Sequence, residues 1–206
     1  MKGLIFLPDF SLENKAKENG YKFICGVDEA GRGPLAGPVC AAAVILPDVV
    51  EIEGLNDSKK LSEKKREALY DVITNEALAY SVAYGTLEEI ERLNILNATF
   101  LAMNRAIDGL SIKPDFALID GNRAPKDIKI PCKTVVKGDS KSSSVAAASI
   151  LAKVTRDRLL IEYDKKYPQY NFKKHKGYGT KEHYEAIEKY GISEVHRRSF
   201  LKNVIK

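Results

Sequence analysis

Two adjacent carboxylates, Asp28 and Glu29, close an apolar run and open directly into a glycine-rich segment, V-D-E-A-G-R-G-P-L-A-G-P-V from Val27 to Val39. The run before them, Phe23-Ile24-Cys25-Gly26-Val27, has the composition of a buried strand, which puts both charges at the strand's carboxyl end. Ligands of α/β proteins collect at such ends. Half-buried carboxylates side by side repel one another unless a cation or a shared proton relieves them, and a metal ion is the simpler expectation. A regular strand alternates its side chains between faces, so the two acids meet at one spot only if the chain bends. Ala30-Gly31 supplies the freedom to bend there.

Two further aspartates stand in matching surroundings. Phe116-Ala117-Leu118-Ile119 ends in Asp120-Gly121, and Thr134-Val135-Val136-Lys137-Gly138 leads to Asp139 at the start of a long Ser/Ala-rich helix. Oxygen ligands with no Cys or His among them favour Mg²⁺ or Mn²⁺ over zinc. A single aspartate in such a place is commonly a turn residue or N-cap. Three strand ends of this kind, one doubly acidic, form a pattern that turn chemistry does not require.

Strands are expected at 22–28 and 38–46, joined by the glycine-rich loop as antiparallel neighbours, then at 78–85, 115–120 and 131–136. Ser62 N-caps a helix to about Asn75, and Leu96, Phe100, Met103, Ile107 and Leu110 recur as the buried stripe of a second helix. Met103 in such a stripe reads as core rather than as a cofactor contact. A third helix runs from about Ser140 to Tyr163, with Val145, Ala148 and Ala152 on one face and Leu151, Val154 and Leu159 extending its apolar side. Tyr167-Pro168 ends it, and smaller helices are expected near 181–190 and 194–204.

A chain of 206 residues suits one domain with a substantial core. No apolar run is long enough to cross a bilayer, and the apolar patch at 1–8 is too short for a signal peptide, so the expected location is the cytoplasm. Cys25, Cys40 and Cys132 lack zinc spacing and read as reduced core residues. His175, His183 and His196 lack ligand spacing too, and are expected at the surface or in packing. Charge is uneven: residues 165–206 carry 11 Lys/Arg against 4 Asp/Glu, whereas residues 1–164 carry 22 against 24. Tyr167, Tyr170, Phe172, Tyr178 and Tyr184 interleave with that basic segment, which marks it as a nucleic-acid surface.

Several blocks together carry a family resemblance. V-D-E-A-G-R-G-P-L-A-G-P, N-D-S-K-K-L-S at Asn56 to Ser62, L-I-D-G at Leu118 to Gly121, K-G-D-S-K-S-S-S-V-A-A-A-S-I-L-A-K-V from Lys137 to Val154, G-Y-G-T at Gly177 to Thr180 and H-R-R-S-F at His196 to Phe200 resemble bacterial ribonuclease HII, a type 2 ribonuclease H. They come in the family's order and span nearly the whole chain; only about the first twenty residues fall outside. The resemblance implies a ribonuclease-H-like α/β fold with a mixed five-stranded sheet flanked by helices. It further implies a catalytic domain over 1–164, with 1–21 as an N-terminal extension, and a small basic helical substrate-binding appendage over 165–206.

By the same resemblance, Asp28 bridges two divalent ions, Mg²⁺ or Mn²⁺, and Glu29, Asp120 and Asp139 complete the site. Whether Glu29 participates by its carboxylate or its main-chain carbonyl is open. Gly31, Arg32 and Gly33 read a 2′-hydroxyl, the group that marks RNA off from DNA, and Tyr178 packs on the next sugar. Lys59, Lys60, Ser143, Lys153, Thr180 and Lys181 are candidate phosphate contacts, Lys153 being equally a helix-surface lysine. The implied enzyme is a monomeric endonuclease acting on RNA/DNA hybrids and on DNA duplexes containing ribonucleotides, cutting 5′ of the ribonucleotide to leave 3′-hydroxyl and 5′-phosphate ends. Ribonuclease HIII, with an added N-terminal domain and a different glycine block, resembles the chain less. A catalytically silent nucleic-acid binder is the alternative of a different class, and it expects losses among the four acids.

Overall fold

Val39–Ile45 contains no charged side chain, and in the computed structural model, which describes residues 7–202, it is strand β2, buried along its whole length. It pairs antiparallel with β1 (Ile24–Ala30), Asp28 opposite Ala42, and with β3 (Ala79–Gly85) on its other side. β1 also pairs in parallel with β4 (Phe116–Asp120), which pairs in parallel with β5 (Cys132–Val135). The result is a mixed five-stranded sheet of order β3-β2-β1-β4-β5, the expected ribonuclease-H-like α/β arrangement.

The pleat sorts the core into two layers. Cys25, Val27, Ala41, Ala43, Ala117 and Ile119 pack against α3 (Leu87–Asp108), while Cys40, Ala42 and Val44 pack against α4 (Ser143–Lys166) and α2 (Glu63–Glu76). Ser62 caps α2 as expected, its Oγ accepting from the Lys65 amide. A Cβ on Gly26 would lie 2.1 Å from the Ser144 carbonyl carbon, so only glycine lets α4 begin directly over β1. Ala146, Ala147 and Ala148 continue that close approach. Farther along α4 it is Leu160, not Leu159, that is fully buried. Cys25 and Cys40 are buried free thiols, pushed up to about 12 by burial and so uncharged at neutral pH.

Four differences from expectation have local causes. First, α1 (Ser11–Glu18) lies inside the segment expected only as an extension; Ala16 packs against Leu118, Val135 and Val145. Glu13 of α1 accepts from the hydroxyls of Ser142 and Ser144, both at 2.6 Å, and so holds the start of α4. Residues 1–6 lie outside the described residues. Second, α3 breaks at Asn94 (φ 67°), whose side chain accepts from the Asn97 amide and caps the second half anew. Met103 and Ile107 from that half, and Leu110 just past its end, enter the core, and Leu96 does not. Third, the helix expected at 194–204 is only a 3-10 turn at Arg198–Phe200, because the chain at His196 is extended in a β-bridge to Ala36; positions 203 and 204 lie outside the described residues. Fourth, α4 runs past the expected boundary after residue 164, and a short helix α5 (Phe172–His175) precedes α6 (Lys181–Tyr190). The C-terminal elements have a core of their own, in which Tyr170, Phe172, Ile187 and Val195 pack against Leu160 of α4 and Leu35-Ala36 of the glycine-rich loop. No described helix is long and apolar enough to cross a membrane.

Candidate active site

β1 does not end at Asp28. It continues through Glu29 to Ala30, and the turn comes at Gly31 (φ +94°). The chain thus bends only after Glu29, and the Asp28 carboxyl feels the charges of both Glu29 and Asp120. Asp28 lies on the α4 face with Gly26, and Glu29 on the α3 face with Val27. Parallel pairing of β1 with β4 sets Asp120, the last residue of β4, beside Asp28. Asp139 arrives on a 3-10 turn, Gly138–Ser140, and the Gly138 amide donates to Asp120 Oδ1 at 2.7 Å.

Asp28 is 4% exposed and Asp139 5%. Burial holds the Asp28 carboxyl well above its ordinary range, and the charges of Glu29 and Asp120 add to the effect. The Glu29 amide donates to Asp28 Oδ1 at 2.7 Å, and the Ser149 hydroxyl also favours the charged form, yet neither offsets the burial. Glu29 is likewise raised by burial, with Arg32 pulling it back, at 3.4 Å from Nη1 to Oε1, and Asp120 pushing it up. Burial, Asp57 and Asp120 raise Asp139 to about 6. Lys59 is the cation these acids share: burial disfavours its charge, but Asp28, Asp139, Asp57 and Asp120 together hold its ammonium above the ordinary value.

A site that so resists carrying its own negative charge fits divalent cations, which would relieve the repulsion among these carboxylates. The donors are all oxygen, which suits Mg²⁺ or Mn²⁺. Among the described residues no three acidic, histidine or cysteine side chains already close around a point.

The other expected contacts divide. Gly31 is buried, whereas Arg32 and Gly33 are exposed, and Tyr178, 45% exposed, comes so near that a Cβ on Gly33 would lie 3.8 Å from its Cε1. Lys60 reaches the Asp139 turn through Ser140 Oγ at 3.3 Å. Thr180 caps α6 by accepting from the His183 amide, and Lys181 stands in solvent near Glu185. Ser143 is not at a phosphate-accessible surface: it is buried where α4 begins and lines a cavity of about 370 Å³ with Leu7, Phe10 and Leu55. Lys153 is committed to Asp157 at 2.8 Å within α4, the reading as a helix lysine. The three histidines pack, but none is at the surface.

Sequence reasoning missed Asp57, whose block was read for its lysines, and Ser149, a buried hydroxyl that nothing in a Ser/Ala-rich helix singles out. It also missed a cavity of about 220 Å³ beside Glu29 and Asp120, floored by Leu96, Phe100 and Met103 and rimmed by Arg32, Asn122 and Arg123. Two buried arginines, Arg156 and Arg197, were likewise invisible as such.

A family model described as Ribonuclease HII matches residues 25–203. The chain belongs to the ribonuclease HII family. It is 58% identical over 193 residues to a Ribonuclease HII of Clostridioides difficile strain 630, covering 94% of this chain and 75% of that one. The crystal structure of ribonuclease H2 from Pyrococcus horikoshii OT3 superposes with a TM-score of 0.73 at 28% identity, covering 89% of this chain and 97% of that one. Bst-RNase HIII, crystallised in complex with Mn²⁺, shares the fold, with a TM-score of 0.64 at 20% identity, and is covered only to 63% by the 82% of this chain that matches. As a member of this family the protein is a ribonuclease H, an endonuclease of the hydrolase class acting on nucleic acid.

Proposed function

We propose that this protein cuts the RNA strand of RNA/DNA hybrids and, in duplex DNA, cuts on the 5′ side of single embedded ribonucleotides, leaving 3′-hydroxyl and 5′-phosphate ends. Asp28, Glu29, Asp120 and Asp139 would hold two divalent ions, Mg²⁺ or Mn²⁺. The observation that carries this reading is the buried Asp28 carboxylate, set against Glu29 and Asp120 within reach of an exposed glycine loop. Mn²⁺ in Bst-RNase HIII, which shares this fold, supports the choice of metal. When bound, such a pair of ions activates water and stabilises the charge on the leaving oxygen.

The chain's own residues do the rest. Asp28 and Asp120 would supply oxygens from neighbouring parallel strands and Asp139 from the turn beyond β5, with the Gly138–Asp120 bond tying that turn to β4. Lys59, already drawn among these acids, orients the phosphate, and Lys60 stands beside it. Arg32 and Gly33 present exposed main chain to the 2′-hydroxyl, and the Tyr178 ring, adjacent to Gly33, packs on the following sugar. In this reading residues 1–164 form the catalytic part, and 165–206 grip the duplex.

Cleavage mapping on a DNA duplex holding one ribonucleotide tests the proposal. A single cut 5′ of that residue is expected with Mg²⁺ or Mn²⁺, and none with EDTA. Cleavage that survives EDTA, or a cut on the 3′ side, would overturn it.

A further inference from the structure

Arg156 and Arg197 are 1% and 0% exposed, and neither meets a carboxylate at ion-pair distance among the described residues. A buried guanidinium without a counter-ion is costly unless its N–H groups are all well used. Both spend them on main-chain carbonyls. Arg197 donates to Gly31 at 2.6 Å, Arg32 at 2.9 Å and Gly37 at 2.8 Å. Arg156 donates to Ala36 at 2.9 Å, Pro38 at 3.1 Å and Lys176 at 3.0 Å. Burial, with the like charge of Arg156 adding, presses Arg197 down to about 9, which leaves it charged at neutral pH.

These bonds have a directional consequence. Among the described residues the peptides are all trans, so the carbonyl of one residue and the amide of the next point to opposite sides. With the Gly31 and Arg32 carbonyls turned inward to Arg197, the Arg32 and Gly33 amides are turned outward. Both residues are exposed, and neither amide donates to a main-chain carbonyl among the described residues. Gly31 has to be glycine for the same reason, since a Cβ there would sit 1.9 Å from Arg156 Nε. Arg156 in turn ties this loop to Lys176, two positions before Tyr178, and the Leu35 amide donates to Gly177 at 2.8 Å alongside.

We infer that Arg156 and Arg197 are positioning residues for ribose selection: Arg197 aims the loop's two free amides outward, and Arg156 fixes the loop's distance from Tyr178. The inference rests on the reading that Gly31-Arg32-Gly33 recognises the 2′-hydroxyl. Its test compares affinity, in EDTA, for two duplexes that differ only in one 2′-oxygen, a readout that the fraction of folded protein does not move. Arg197→Lys keeps the charge but loses the planar fork, and should cut the ribo-to-deoxy affinity ratio about tenfold, as the loss of an aligned polar contact of about 1.4 kcal/mol would. In Arg156→Lys, adding Tyr178→Ala should cost much less than it costs in wild type, because the two act through one spacing. A wild-type ratio retained by folded Arg197→Lys would overturn the inference while leaving the loop reading intact. Wild type that does not discriminate would overturn both. Failure of both lysine variants to fold would assign the arginines to stability, and would overturn it as well.

Discussion

The amide of Gly138 donates to Asp120 Oδ1 at 2.7 Å, so the turn that carries Asp139 is fastened to the carboxylate that ends β4. One bond therefore sets the distance between two acids that are far apart in sequence. The other Asp120 oxygen is left for the site.

Asp120→Asn keeps an oxygen for Gly138 and removes the charge. Cleavage with Mg²⁺ should fall on the order of a hundredfold or more, the scale of losing a charge-stabilising group at the reacting centre. The metal-free protein should melt at the same temperature or higher, because Asp28 loses a like-charged neighbour. Near wild-type cleavage would remove Asp120 from the metal site. Unfolding of the variant would make the residue structural instead.

A second prediction concerns the histidines behind Tyr178. The His183 Nδ1–H donates to the Tyr178 carbonyl at 2.9 Å, which leaves Nε2 to accept from His196 Nε2 at 3.1 Å. His196 Nδ1 accepts from the Ser193 amide at 2.9 Å, so both rings are neutral in this arrangement. Burial lowers each to about 4. A folded pKa below the unfolded value contributes stability that is complete above about 6.5 and is lost as pH falls toward 4. Asp139, raised to about 6, works in the opposite sense: its contribution is complete below the ordinary carboxylate range and is lost as pH rises through about 6. The ring-proton NMR signals of His183 and His196 should stay flat from pH 8 to about 5.5, given those lowered values. A midpoint near 6.5 for either would break the relay.

The appendage makes a third. Lys173 and Lys174 are exposed; Lys174 pairs with the exposed Glu182 at 2.7 Å, a surface pair that yields easily to a phosphate, and Lys173 stands 3.6 Å from the buried Asp164 with its ammonium in solvent. Replacing both with Gln should weaken duplex binding, and should flatten the slope of log K against log[salt] by about 0.9 for each phosphate that is no longer neutralised. Lys176 is a poor probe, because it is mostly buried and donates to the Lys173 carbonyl at 2.6 Å. An unchanged slope would place the phosphate-binding groups elsewhere.

What the sequence revealed follows from what is local. Short continuous apolar runs, with alternation only at 78–85, located all five strands, and a capping serine located α2, because those signals act within a few residues. The four acids stood out as candidates because each follows a short apolar run, although β1 runs on past Asp28 to Ala30 and Asp139 sits on a 3-10 turn beyond β5. Where the sequence was silent, the cause is long-range. Helix α1 has little apolar surface and is held by Glu13 reaching Ser142, 129 positions away. His196 is held extended by Ala36, which overrides a helical pattern. Arg197 looks like any basic residue of H-R-R-S-F until the loop carbonyls 160 to 166 positions away close around it. Burial of a charge is a property of the fold, and no local pattern announces it.

The last prediction concerns Tyr178 and the nucleotide after the ribose. Its ring is 45% exposed beside Gly33, while its backbone carbonyl is tied down by His183, so the side chain offers a fixed flat surface to the substrate. If the loop reads the 2′-hydroxyl and the ring packs on the next sugar, a deoxyribose fits there better than a ribose, and single-ribonucleotide duplexes are cut efficiently. Tyr178→Ala removes the ring and should abolish most of that activity. Tyr178→Phe keeps the packing and loses only the hydroxyl's hydrogen bond, worth about 0.5–1.5 kcal/mol net, so its loss should stay within about tenfold. The decisive measurement is kcat/KM for a single-ribonucleotide duplex against an all-RNA strand in a hybrid. Equal ratios for wild type and Tyr178→Ala would show that the ring does not select the junction, whatever it contributes to binding.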